Sequence, residues 1–319
     1  MKKLLLSCAA LSLAIPAFAK SDALSLIPND AITVGVVHLA EMRSSPLSSA
    51  LFQQTDKVSS NGDAEVFLRE AGLQPTHDID VIVVATSPRT ALGHDADVLI
   101  AADGRFNADR LTKALVSRGA MRKTSAHGEY FLLPNEDRDR NGAAAFPDSR
   151  LALVGTEAAV IEALDARAAG GTSFTTVSGL GREVTRIDPH ATAWAIVDVA
   201  RAQRLADGPH VSSHTTSGAA LNNVLRTVTT VALWATDSGD ALKLGAFGLS
   251  HDQETLQDVE DTLRGALSAM RLAVQDKEPG LVSLLRKFSV ARSDDSVTIS
   301  GTVPAATFRE YVGRHGEKN

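Results

Sequence analysis

Thr33-Val34-Gly35-Val36-Val37-His38-Leu39-Ala40 reads as a strand, and far downstream Ala193-Trp194-Ala195-Ile196-Val197-Asp198-Val199-Ala200 reads as its counterpart. Both are short runs rich in branched apolar side chains. The chain continues in the same way after each. A polar stretch leads into a short helix, Glu65 to Ala71 in the first half and Ala220 to Arg226 in the second. A buried strand comes next, Ile79-Asp80-Val81-Ile82-Val83-Val84-Ala85-Thr86 against Thr230-Val231-Ala232-Leu233-Trp234-Ala235-Thr236. Another strand succeeds it, Ala96 to Ala102 against Ala241 to Leu249.

Each half then continues with a helix. The first is capped by Asn107 and carries Leu111 and Leu115 on one face. The second starts near Ser250, with Gln253 at capping-box spacing. It sets Leu256, Val259, Leu263, Leu267, Met270 and Val274 in one apolar stripe, at steps of three and four. A hairpin and a terminal helix close each half. They are Glu129 to Leu133, Leu151 to Gly155 and Thr156 to Ala168, then Phe288 to Arg292, Ser296 to Val303 and Ala305 to Val312.

The order β-α-β-β-α-β-β-α therefore occurs twice. Strands joined by short loops run antiparallel, and helices set between hairpins are expected on one face of the sheet. The expected class is α+β, two tandem copies with antiparallel sheets. The expected organisation is a signal peptide over 1–19, a first repeat over 20–168, a linker and leading helix over 169–190, and a second repeat over 191–319. Ala169-Gly170-Gly171-Thr172-Ser173 has the composition of the linker.

The N-terminus predicts export. Lys2 and Lys3 are followed by the apolar run Leu4 to Ile15, then Pro16 and the small-residue site Ala17-Phe18-Ala19. The run is too short for a permanent span, which takes about 20 residues. Leu5-Leu6-Ser7-Cys8 resembles a lipobox, but Cys8 lies too close to Lys3 for that reading. The expected mature chain starts at Lys20 and contains no cysteine, because Cys8 is the only one. That excludes disulfides and thiolate chemistry. It is placed in the periplasm or outside the cell, with no membrane insertion after cleavage.

Composition narrows the function. A formal net charge of −6 and 4% aromatic residues argue against nucleic acid, which needs clustered cations and stacking platforms. An apolar fraction of 44% is that of a chain with a packed core.

Ile27-Pro28-Asn29-Asp30-Ala31, the strand Val34 to Leu39, and Ser44-Ser45-Pro46-Leu47 resemble the opening of a group of exported bacterial α+β repeat proteins of unknown function. Gly104-Arg105-Phe106-Asn107 and the aromatic strand at Trp194 are similar too. The resemblance covers most of the mature chain. It implies a fold and no activity.

Catalytic signatures are missing: no Gly-x-Ser-x-Gly elbow, no His-Glu-x-x-His, no phosphate loop and no dinucleotide fingerprint. The pairs His77-Asp78, His94-Asp95 and His251-Asp252 read as turn and helix-start residues. His210 and His214 sit in a loop-forming stretch that fixes no ligand geometry. Trp194 and Trp234 occupy equivalent strands and read as core.

The one stretch with metal-site spacing runs from Asp137 to Asp148. Asp137, Asp139 and Asn141 supply oxygens at positions 1, 3 and 5, Gly142 the turn, the Ala143 carbonyl a main-chain ligand, and Asp148 a carboxylate at position 12, the pattern of a calcium loop. Asp148 is shorter than the usual Glu, and Arg138 and Arg140 put positive charge beside the ion. The expected function is a non-catalytic module that binds a protein or envelope component through a sheet face or the groove between repeats. The alternatives are a hydrolase with a site assembled from distant Asp and His residues, and a calcium-stabilised structural domain.

Overall fold

The alternation in Thr33–Val37 produces strand β1, whose Val34 and Val36 are buried while Thr33, Gly35 and Val37 stay half-buried. Ala193–Asp198 forms β8 with the same alternation. The two pair antiparallel, Val34 opposite Ile196 and Val36 opposite Trp194. This computed structural model describes residues 23–43, 45, 62–89, 96–134, 141–172, 174–206, 227–275 and 279–316.

The first half continues with α1 (Leu39–Arg43), α2 (Asp63–Ala71), α3 (Pro75–Asp78), β2 (Ile79–Pro88), β3 (Ala96–Gly104), α4 (Ala108–Ser117), β4 (Met121–Ser125), β5 (Gly128–Leu132), β6 (Gly142–Ala145), β7 (Leu151–Thr156) and α5 (Glu157–Ala168). Short helices α6 (Phe174–Val177) and α7 (Gly179–Glu183) lead into β8. After it come α8 (Val199–Ala206), β9 (Thr230–Asp237), β10 (Ala241–Leu249), α9 (Gln253–Val274), α10 (Pro279–Leu285), β11 (Ser289–Arg292), β12 (Ser296–Pro304) and α11 (Ala305–Gly316).

The protein is α+β, and among the described residues all twelve strands join one antiparallel sheet in the order β11-β12-β10-β9-β8-β1-β2-β3-β7-β6-β5-β4. The expectation of separate sheets fails at β1 and β8. Each would otherwise present an edge of unpaired backbone groups, and pairing them satisfies both edges.

The first half also departs from the expected order. Glu129 to Leu133 does not pair with Leu151 to Gly155, because β6 lies between β5 and β7. Gly142-Ala143-Ala144-Ala145 has no β-branched residue, so its strand state comes from its neighbours on both sides. β4 is hidden in the sequence for a different reason. Met-Arg-Lys-Thr-Ser is polar and mostly exposed, as suits an edge strand guarded by charge.

Helices cover both faces, not one. On the first face, Val34, Val83, Leu99, Leu153, Ile196 and Phe247 pack with Val160 and Leu164 of α5, Phe174 of α6 and Leu180 of α7. On the second, Leu111 and Ala114 of α4 cover Ala102 and Ala152, and Leu256 and Val259 of α9 cover Val297. The run Ile79 to Ala85 is nearly continuous in apolar residues, the pattern of a strand that meets apolar neighbours on both sides.

Helix ends obey their local chemistry. The Asn107 side chain accepts from the Arg110 amide at 3.0 Å. The long helix is capped by Asp252, not by Ser250: its carboxylate accepts from the Thr255 amide at 2.9 Å. The stripe on α9 buries Leu256, Val259 and Leu267, but Met270 is 47% exposed. Gly265 lies mid-helix, exposed, with no atom near its missing Cβ. Gly265→Ala should therefore stabilise the protein by about 0.8–1 kcal/mol, read as a higher urea midpoint.

Helix α5 ends in glycines with defined hydrogen bonds. The Gly171 amide donates to the Ala166 carbonyl and the Gly170 amide to the Arg167 carbonyl, at 2.8 and 3.0 Å, the paired bonds of a Schellman ending. Gly170 and Gly171 have φ of 89° and 99°, which suit glycine. The Thr172 amide and hydroxyl then donate to the carbonyls of Ser25 and Ile27.

Candidate binding site

The second face of the sheet carries a single register row across the middle strands. Leu233 is opposite Ala195, Ala195 opposite Gly35, Gly35 opposite Val84, Val84 opposite Ile100, and Ile100 opposite Val154. Partners in register project to the same face, so the row is continuous. Five strand spacings make it about 24 Å long. Leu233 is 56% exposed, and Val84, Ile100 and Val154 are each 38% exposed. Gly35 and Ala195 make its centre shallow. The helices α2 and α4 stand at one end of this face and α9 at the other.

At the α4 end the row runs into a cavity of about 290 Å³. Ile100 and Val154 belong to both. Phe67 of α2 and Leu111 and Leu115 of α4 roof the cavity over Ala102 and Ala152. Every described lining residue is apolar. Two guanidinium groups lie against its aromatic edge. Arg118 sits 5.3 Å over the Phe67 ring. Arg122 sits 5.6 Å over Phe131, whose ring is 6.5 Å from that of Phe146.

A second cavity, of about 550 Å³, has a charged lining that includes Arg186, Arg201, Arg204, His251, Asp198 and Asp295. Arg186 holds Asp295 in a two-point pair at 2.6 and 3.1 Å and also bonds Glu183 at 2.6 Å. The Arg186 hydrogen bond holds the Asp295 carboxyl below its usual range. Nearby, the His190 amide and the Thr236 hydroxyl donate to Asp188 and lower its pKa as well. A carboxyl with a lowered folded pKa stabilises the fold above its unfolded pKa, and that contribution is lost as pH falls through the folded value. Stability should decline on acidification below about pH 4, and Asp188→Asn should flatten that slope in urea unfolding tracked across pH.

Of the calcium-loop residues, Asp137 and Asp139 lie outside the described residues. Asn141 donates its side-chain amide to Glu157 at 3.2 Å. Ala143 is fully buried in β6, opposite Leu132 and Gly155. Asp148 accepts from the amides of Arg150 and Leu151 at 2.6 and 3.0 Å and pairs with Arg167. Strand β6 runs between Asn141 and Asp148, about 13 Å of extended chain. Calcium titration by calorimetry should therefore give no heat. A saturable isotherm that Asp139→Ala abolishes would make calcium the leading clue to function.

Two of the His-Asp pairs fall in described segments. His77 bonds Asp78 on the surface at 3.1 Å, and Asp252 caps α9. His94, Asp95, His210 and His214 lie outside the described residues. Among the described residues no three His, Asp or Glu side chains converge as a metal-binding group. Trp194 faces Trp234 across β8 and β9. The first is buried in the core and the second packs against it. No described helix is long and apolar enough to cross a membrane.

Neither the row nor the cavity is announced by a motif in the sequence. The available signal is the apolar run Ile79 to Ala85 together with Phe67, Phe106 and Phe146.

The fold and site define an α+β protein with one antiparallel sheet and an apolar strip left open on it. No protein-family model matches the chain, and no curated protein does. Among solved structures, crystal form IV of TP0453 aligns with a TM-score of 0.49 at 10% identity, over 91% of this chain and 96% of that one. Crystal form III of TP0453 aligns with a TM-score of 0.49 at 9% identity, over 93% and 99%. Likeness at this level transfers no function.

Proposed function

We propose that the protein is an exported, non-catalytic module that binds a protein or envelope component through the open face of its sheet. The observation that carries this reading is the row from Leu233 to Val154. Contiguous apolar side chains left in water mark interaction surfaces, and a flat strip between helices suits an extended or shallow partner. Export rests on the N-terminal segment Lys2 to Ala19. Internal duplication fits the same reading: β2 lies between β1 and β3 as β9 lies between β8 and β10. Pairing of β1 with β8 puts the small residues Gly35 and Ala195 at the centre of the strip.

The test is site-specific photo-cross-linking in the native cell. A photoreactive amino acid at Leu233 or Val84 should give one shared adduct. The same amino acid at Leu272, 71% exposed on α9, should not. Equal labelling at all three positions, or none at the strip, would remove the proposal.

A further inference from the structure

Resting on that reading, we propose that the cavity under α2 and α4 holds one linear acyl chain of an anionic amphiphile. Among the described residues its lining offers no hydrogen-bonding side chain. A polar ligand group inside would lose its bonds to water without replacement, which is costly. Only hydrocarbon enters without that penalty. The volume of about 290 Å³ is at the small end for ligand pockets. At roughly 30 Å³ per group, close to the share of a water molecule, it takes about ten methylenes.

Cations beside the cavity's aromatic residues supply the head-group chemistry. Arg118 and Arg122 lie over the aromatic edge. Their partners, Glu70 and Glu129, form surface pairs with them, which are weak and easily exchanged. A carboxylate or phosphate head beside Phe67 and Phe131 would meet these cations while its chain lay inside. The open strip leads into the cavity through Ile100 and Val154, so the chain has a path that crosses no polar surface.

Calorimetry of the full chain with sodium octanoate, decanoate, dodecanoate and tetradecanoate tests this. Affinity should rise about fourfold per methylene, then level off once the cavity is full. Leu115→Trp, a half-buried change in the roof, should weaken decanoate at least tenfold with circular dichroism unchanged. Ala102→Phe fills the floor and should do the same if it folds. Arg118→Ala should weaken decanoate by up to about fivefold and leave decanol unaffected. Absence of saturable heat, affinity independent of chain length, or full affinity in Leu115→Trp would each overturn the proposal. Co-sedimentation with phosphatidylglycerol vesicles that Leu115→Trp abolishes would support a membrane lipid as the source. Binding of decanoate without co-sedimentation would support a free monoacyl ligand. Cross-linking at Leu233 with no fatty-acid binding would leave the sheet-face function standing and remove only the acyl chain.

Discussion

Phe174→Ala should lower the stability of the protein by about 3–5 kcal/mol, the cost of an aromatic side chain removed from a close-packed core. Phe174 is 1% exposed and the largest of the fully buried side chains. It starts α6, in the segment between the halves, and packs into the core that the central strands share with α5 and α7. Truncation leaves a cavity beneath that segment, where the Schellman ending and the Thr172 bonds limit collapse. Urea unfolding monitored by circular dichroism measures the loss. Phe174→Leu should recover part of it by refilling the space. A loss below about 1 kcal/mol would mean that the linker merely rests on the core and does not join the halves.

Gly155→Ala should cost about 3 kcal/mol, at the upper end for an overpacked site. A Cβ on Gly155 would lie 2.0 Å from the Val98 carbonyl oxygen of the neighbouring strand. Backbone cannot step aside as a side chain can, so β3 and β7 must separate locally. That breaks the ladder where Leu99 faces Gly155 and Asp97 accepts from the Thr156 hydroxyl at 2.8 Å. Gly265→Ala is the matched control, the same methyl group added in open space, with the opposite sign expected. Equal midpoints for the two variants would show that β3 and β7 have room to spare.

Much of the element order is legible because it rests on local chemistry. The alternation in Thr33–Val37 and Ala193–Asp198, the Asn107 cap and the apolar steps of Leu256, Val259 and Leu267 all appear where their residues place them. Where the local signal is weak, the sequence misleads. Gly142-Ala143-Ala144-Ala145 is a strand only because β5 and β7 flank it, and Asp252 outcompetes Ser250 as a cap by reaching the Thr255 amide. The candidate site is the least legible part, since it has no motif. The calcium-loop spacing is visible in sequence, yet spacing alone does not show that Asp148 is already held by Arg167 and two amides.

By itself the sequence determined the α+β class, the position of most helices and strands, and the absence of any cysteine beyond Cys8. These depend on periodicity, capping and composition, which act within a few residues of one another. Only the tertiary structure decided that β1 and β8 fuse the halves into one sheet and that helices take both faces. It alone brought Leu233, Val84, Ile100 and Val154 into one exposed row. Strand pairing joins residues far apart in the chain, and no local preference specifies which edges meet or which part of a face the helices leave uncovered.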